Sequence, residues 1–195
     1  SILLLSLLMC VNFVISKLGY SVDITNDSRY SLSPETISQL NKITEPIDII
    51  ITIPENNSLP KIVQKLLFDL NLIMNSFENA DSKYPIRVHR LNIDAAIPRS
   101  ELIQKYKITE RNQILITTPS GTKKVIYKFK DLEGTNVLDS NNIFRSKDSI
   151  ARENIWESGF YEDWKETNNG ILEPSKFRGE LVVLNGILET ASIKD

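Results

Sequence analysis

The segment from Asp27 to Leu40, DSRYSLSPETISQL, places hydroxyls, a carboxylate and an arginine close together. A serine here could act as a nucleophile if a histidine or lysine lay nearby to take its proton. The segment contains neither residue type. Its pattern is instead typical of a helix start, with Ser33 as the N-cap and Pro34 in the first turn. We therefore predict a connector and helix cap, formed by Tyr30, Ser31, Leu32, Ser33, Glu35 and Thr36.

Other catalytic and metal chemistry is limited by residue counts. The chain has one histidine, His89, and one cysteine, Cys10. A Cys/His zinc site, an intramolecular disulfide and a dithiol centre each need more of these residues. Seven scattered glycines form neither a Walker loop nor a dinucleotide fingerprint. His89 lies in the middle of a predicted strand, near the polar residues Arg87 and Arg90. This setting favours a position at the surface or on an edge strand. We expect no catalytic residue, no metal and no cofactor.

The N-terminal run from Ser1 to Ile15 is almost wholly apolar and uncharged. It falls slightly short of the roughly 20 residues that a bilayer crossing needs, and we expect upstream residues to complete it. A signal-peptide core and a buried helix are the alternatives, but no good cleavage site follows. We predict a transmembrane anchor over residues 1–19 and a connector with a short capped helix over residues 20–45. The net charge of −2 gives no indication of a nucleic-acid partner.

Residues 46–195 are predicted to form one α/β domain. The strand patterns cover 47–53, 86–93, 112–118 and 123–129, and the last two form a hairpin. A long amphipathic helix runs from Ile62 to Phe77, a shorter helix ends at Tyr106, and a third helix begins near Phe177. The order βαβαββα, with a helical crossover between the first two strands, predicts a mixed four-stranded sheet in a thioredoxin-like three-layer α/β/α fold.

The polar segment 131–176 is too long for an ordinary loop, and we interpret it as an insertion with its own helix. It carries a cluster of four aromatic residues. Three of them are four residues apart, so a helix would present them as one stripe, although Gly159 would weaken that helix. Such a cluster either packs the insertion onto its own domain or binds a partner protein. The candidate partner-binding residues are Trp156, Phe160, Tyr161 and Trp164.

Three segments together resemble a known family. DSRYSLSPETISQL after an apolar helix, then EPIDIIITI, and later FRGELVVLNGILETAS are similar to the extracytoplasmic auxiliary component of gliding-motility-type ABC transport systems. The matching positions are Asp27, Tyr30 to Ser33, Thr36, Leu40, Pro46, Phe177, Gly179 and Glu180. The resemblance covers nearly the whole chain. In that family the matching part precedes a larger α/β domain and often a second membrane helix.

The resemblance implies a function without catalysis. It implies a single-pass membrane protein with an extracytoplasmic, periplasmic domain that works beside an ABC permease and its ATPase, in gliding motility or envelope export. Lys17 and Arg29 both flank the anchor on the domain side, which counts mildly against an exported domain. The alternatives are an extracytoplasmic receptor for a solute or peptide, and an enzyme using His89 or the loop at Glu55. Homo-oligomerisation stays open.

Overall fold

The structure, a computed structural model, describes residues 31–54, 59–93, 101–130, 132, 137–138, 144–145, 147–166 and 172–191. Apart from Ser31, all of them belong to one unit, Leu32–Asp195. The predicted anchor and Tyr30 lie outside the described residues. Within the described part, no helix has both the length and the apolar character that a bilayer crossing requires.

The central sheet has four strands in the order β2-β1-β3-β4. Strand β1 pairs in parallel with β2 and antiparallel with β3, and β3 pairs antiparallel with β4. The mixed four-stranded sheet predicted from the sequence is therefore confirmed. The strands are slightly shorter than their sequence patterns: β1 Ile47–Ile51, β2 Ile86–Arg90, β3 Gln113–Thr117 and β4 Lys124–Lys128.

Five helices accompany the strands in the described residues: α1 Pro34–Leu40, α2 Lys61–Glu78, α3 Glu101–Tyr106, α4 Lys147–Glu157 and α5 Gly179–Thr190. Helix α2 forms the crossover between the parallel strands β1 and β2. The apolar positions predicted for its buried face are buried: Ile62, Val63, Leu66, Leu67, Leu70, Ile73, Met74 and Phe77. Each such side chain contributes about 1.5–3 kcal/mol by leaving water, so α2 is held mainly by this face.

The two faces of the sheet bury different side chains. Alternate residues of β1 point to opposite faces. Ile49 belongs to a large core with the apolar faces of α2 and α5, whereas Ile50 belongs to a smaller core with Tyr106 at the end of α3. Helix α5 approaches the sheet closely at Gly186, where a Cβ atom would lie 2.7 Å from Ile116 Cδ1. Helices thus cover both faces of the sheet.

The insertion contains the predicted helix and an additional hairpin that the sequence did not indicate. Helix α4 is followed by strands β7, Tyr161–Glu166, and β8, Leu172–Phe177, which pair antiparallel. A short ladder, β5 Val137–Leu138 with β6 Phe144–Arg145, precedes the helix. Strand β8 includes Phe177, which sequence analysis assigned to the last helix.

The turn between α4 and β7 depends on Gly159, which has a φ of +75°. A Cβ added there would meet nothing within 4 Å, so a substitution is opposed by backbone conformation and not by crowding. We predict that Gly159→Ala lowers the free energy of unfolding by about 1 kcal/mol, because the left-handed region is unfavourable for alanine. Gly159→Asn should cost less, since asparagine tolerates this region. Urea denaturation of both variants tests this, and equal costs would contradict it.

Candidate functional site

The connector motif forms the helix cap predicted from the sequence. Ser33 is the N-cap of α1, its Oγ accepts a hydrogen bond from the Thr36 amide at 3.2 Å, and Pro34 occupies the first turn. The Ser33 hydroxyl also donates to Thr36 Oγ1 at 3.0 Å. Glu35 is exposed in the first turn, where the positive end of the helix dipole favours a carboxylate. Leu32 is buried in the main core.

A carboxylate from the far end of the chain completes this cap. Glu180, in the first turn of α5, accepts hydrogen bonds through one oxygen, Oε1, from the Ser33 amide at 2.8 Å and from the Thr36 hydroxyl at 2.5 Å. The hydroxyls of Ser33 and Thr36 are both engaged in this network. The first and the last of the three segments that carry the family resemblance therefore meet through Glu180.

We predict that Glu180→Ala destabilises the protein by about 1–3 kcal/mol, the cost of removing a charged acceptor from partly buried donors. The Ser33 amide should then exchange its hydrogen with solvent faster. Glu189→Ala is the matched control, because Glu189 is exposed on the same helix and its removal should change stability by less than about 0.5 kcal/mol. Urea denaturation with amide exchange measures both effects. Equal losses in the two variants would show that Glu180 does not clamp the cap.

A second polar cluster surrounds a buried carboxylate on the opposite face of the sheet. Asp48, the second residue of β1, is only 2% exposed. Its Oδ2 accepts a hydrogen bond from the Tyr106 hydroxyl at 2.5 Å. Its Oδ1 lies 2.7 Å from Arg87 Nε and 3.5 Å from His89 Nε2. Such partners are required, because an unpaired carboxylate cannot be buried at acceptable cost.

The end of α3 determines where the Tyr106 ring lies. The Ile108 amide bonds to the Ile103 carbonyl and the Lys107 amide to the Gln104 carbonyl, with Lys107 at a φ of +54°. This is a Schellman helix end formed without glycine. Lys124 on β4 also donates to the Tyr106 carbonyl at 2.7 Å. The pKa of Tyr106 is raised by burial first and then by its hydrogen bond to Asp48.

The neighbouring strand β2 supplies the basic side chains. Arg87 lies opposite Asp48 in the parallel register, and His89 lies two residues further on the same face. Their side chains are 48% and 29% exposed. Sequence analysis placed His89 at a surface or edge, and it does lie on an edge strand. It missed Asp48, although a single charge inside an isoleucine strand was a usable signal, and it missed the role of Tyr106.

The residues that surround Asp48 in the described part of the chain, Tyr106, Arg87 and His89, include no serine, threonine or cysteine nucleophile. In the described ranges, no group of three or more His, Cys, Asp or Glu side chains could hold a metal ion. What the geometry provides is a fixed set of hydrogen-bond donors around one buried carboxylate.

We predict that Tyr106→Phe lowers the free energy of unfolding by about 1–3 kcal/mol at neutral pH, because Asp48 Oδ2 loses its donor in a buried position. The raised pKa also fixes a pH dependence. The stability linked to neutral Tyr106 is fully present below about pH 10, the pKa of an unfolded tyrosine, and is lost as pH rises above it.

The wild type should therefore lose stability more steeply than Tyr106→Phe between about pH 10 and 11. The control is Tyr84→Phe, since Tyr84 is half-buried and its hydroxyl has no hydrogen bond within the described residues. Denaturation at several pH values measures the slopes. Parallel slopes for the wild type and Tyr106→Phe would contradict the assignment.

The aromatic residues of the insertion do not form a helical stripe. Helix α4 ends at Glu157, so Trp156 lies on the helix, Phe160 in the turn and Trp164 on β7. The expectation of one continuous helix was wrong because the positive φ at Gly159 reverses the chain. Phe160 is fully buried, with its ring centre 5.6 Å from that of Phe129 and 5.7 Å from that of Tyr127.

The remaining aromatic residues differ in exposure. Tyr161 is buried, and its hydroxyl donates to Asp69 Oδ2 on α2 at 2.7 Å. Burial raises the pKa of Tyr161, and the hydrogen bond to Asp69 raises it further. Trp164 packs against the main core and Trp156 is 56% exposed. The ring centres of the two tryptophans are 5.5 Å apart. Phe160 and Tyr161 thus fix the insertion to the domain, while Trp156 presents a large apolar ring to solvent.

No protein-family model, curated protein or solved structure matches this chain.

Proposed function

We propose that this protein is a non-catalytic, membrane-anchored auxiliary subunit of an ABC-type transport system, with an extracytoplasmic domain that serves gliding motility or envelope export. The observation that carries the proposal is the bridge from Glu180 to Ser33 and Thr36. Two of the segments that resemble this family are joined by a specific interaction. In this chain both motifs take part in one interaction, which links the connector to the last helix and supports the proposal.

The same proposal includes a thioredoxin-like three-layer fold that has no redox function. It is supported by the helical crossover between parallel strands, the antiparallel β3–β4 edge and the helices on both faces of the sheet. A thiol–disulfide reaction needs a thiolate and a second sulfur. The only cysteine is Cys10, and the segment from Pro54 to Pro60 between β1 and α2 contains no sulfur. Such a domain would act by binding.

Partner binding is assigned to the surface around Trp156. Trp156 is more than half exposed, and tryptophan is enriched among residues that dominate interface energies. The Trp164 ring packs against the Trp156 ring. The buried residues Phe160 and Tyr161 hold this part of the insertion rigidly on the domain. A rigid anchor loses little conformational entropy on binding. We infer that the permease of the ABC system contacts this surface.

We predict that Trp156→Ala weakens capture of the transporter subunits while it changes the free energy of unfolding by less than about 1.5 kcal/mol, the value of one aromatic pair. Phe160→Ala should instead destabilise the domain by about 3–5 kcal/mol, because it empties a core position. Thermal denaturation separates the two effects. A large loss of stability in Trp156→Ala would show that this ring belongs to the core.

The partner is tested by a photoreactive amino acid at position 156 in intact membranes, followed by mass spectrometry of the crosslinked proteins. Capture of an ABC permease supports the proposal. The matched control carries the same group at position 68, since Phe68 is 58% exposed on α2. The assignment of this surface would be overturned if position 156 gave no crosslink to an ABC permease. It would also be overturned if position 68 gave crosslinks of equal strength.

A further inference from the structure

The face of the sheet that carries Asp48 has hydrogen-bond donors that no described residue engages. Arg87 has five N–H groups, of which the described residues engage only the one on Nε. The rest of its guanidinium has no hydrogen-bond partner in the described part of the chain, and its side chain is half exposed. His89 contacts Asp48 through Nε2 alone among the described residues. Both side chains converge on the same oxygen, Asp48 Oδ1.

We propose that Arg87 and His89 form a binding site for an oxyanion, the carboxylate or phosphate group of a ligand. The terminal nitrogens of an arginine form a planar fork that matches two oxygens of such a group. His89 Nε2 faces Asp48, so its Nδ1 supplies a further N–H donor when both ring nitrogens carry a proton. This site lies apart from the aromatic surface around Trp156 and is independent of the proposed scaffolding role.

Asp48 gives this site its fixed geometry. The carboxylate is buried and is held in turn by the Tyr106 hydroxyl, so it can orient Arg87 through Nε without occupying the fork. Donors that are already ordered lose less entropy when a ligand binds. A purely structural ion pair would explain why Arg87 contacts Asp48. It would not explain a second basic side chain on the same oxygen with its ring still partly exposed.

The test uses the fact that His89 is the only histidine of the chain, so its ring resonances are identified without assignment. The full chain, in non-ionic detergent, is titrated by NMR with inorganic phosphate and separately with acetate, and chloride keeps the ionic strength constant. We expect saturable shifts of the His89 resonances at millimolar anion. Saturation by phosphate alone indicates a phosphorylated ligand, and saturation by acetate alone indicates a carboxylate ligand.

The variants test which donors bind the anion. Arg87→Gln should weaken binding at least about tenfold, which corresponds to about 1.4 kcal/mol. Arg87→Lys keeps the charge and the contact with Asp48 but lacks the fork, so it should bind with intermediate affinity, and it serves if Arg87→Gln does not fold. The matched control is Arg90→Gln, because Arg90 is on the same strand but donates to Asn71 and Asn75.

Arg90→Gln should bind as the wild type does. The proposal is overturned if neither anion gives a saturable shift up to about 50 mM, far above a millimolar dissociation constant, or if Arg87→Gln and Arg90→Gln weaken binding equally. Crosslinking at position 156 is unaffected by either result, so failure of this site is distinguishable from failure of the scaffolding role.

Discussion

The structure depends on burying strand β1 on both faces while it carries one charge. All five residues of β1 are buried, and four are isoleucines that fill the cores above and below the sheet. Asp48 is the exception, and its carboxylate must be neutralised where it lies because desolvation of an unpaired charge costs too much. That requirement places Arg87 on the neighbouring strand and Tyr106 at the end of α3. The positions of β2 and α3 are thus tied to β1 by polar contacts as well as by apolar packing.

A second long-range constraint joins the two ends of the folded unit. The contact between Ser33 and Glu180 spans 147 residues of sequence. Through it, helix α1 is held to helix α5, and α5 in turn packs on the sheet at Gly186 and on β4, where the Tyr127 hydroxyl donates to the Val182 carbonyl. A pull on the chain before Ser33 would therefore be transmitted to the sheet.

The elements that the sequence predicts well are those whose pattern is local. Helix α2 repeats its apolar residues at three- and four-residue steps, and the cap at Ser33 uses residues within one turn. The β7–β8 hairpin was not predicted for physical reasons. Strand β7 has a register irregularity after Tyr161 that interrupts its alternation, and β8 contains Pro174, a residue that weakens a strand pattern.

The partners within the polar clusters could not be predicted from the sequence, for a different reason. Asp48, Arg87 and Tyr106 are brought together by strand register and by the end of a helix, and neither can be derived from spacing in one sequence. The same holds for Glu180, whose partners lie at the opposite end of the chain. For the aromatic residues of the insertion, the sequence pattern suggested an element that the structure does not contain. Their four-residue spacing is helical, but Gly159 in the left-handed conformation ends the helix and redirects the chain.

The location of the two candidate binding surfaces has a consequence for how they could act together. The aromatic residues of the insertion pack against the core that α2 and α5 form on one face of the sheet, whereas Arg87 and His89 flank Asp48 on the other face. A partner seated on Trp156 would leave the oxyanion site open. Because strand β1 contributes side chains to both cores, coupling between the two surfaces would have to pass through the central strand, whose close packing permits little movement. We therefore expect the two surfaces to bind independently.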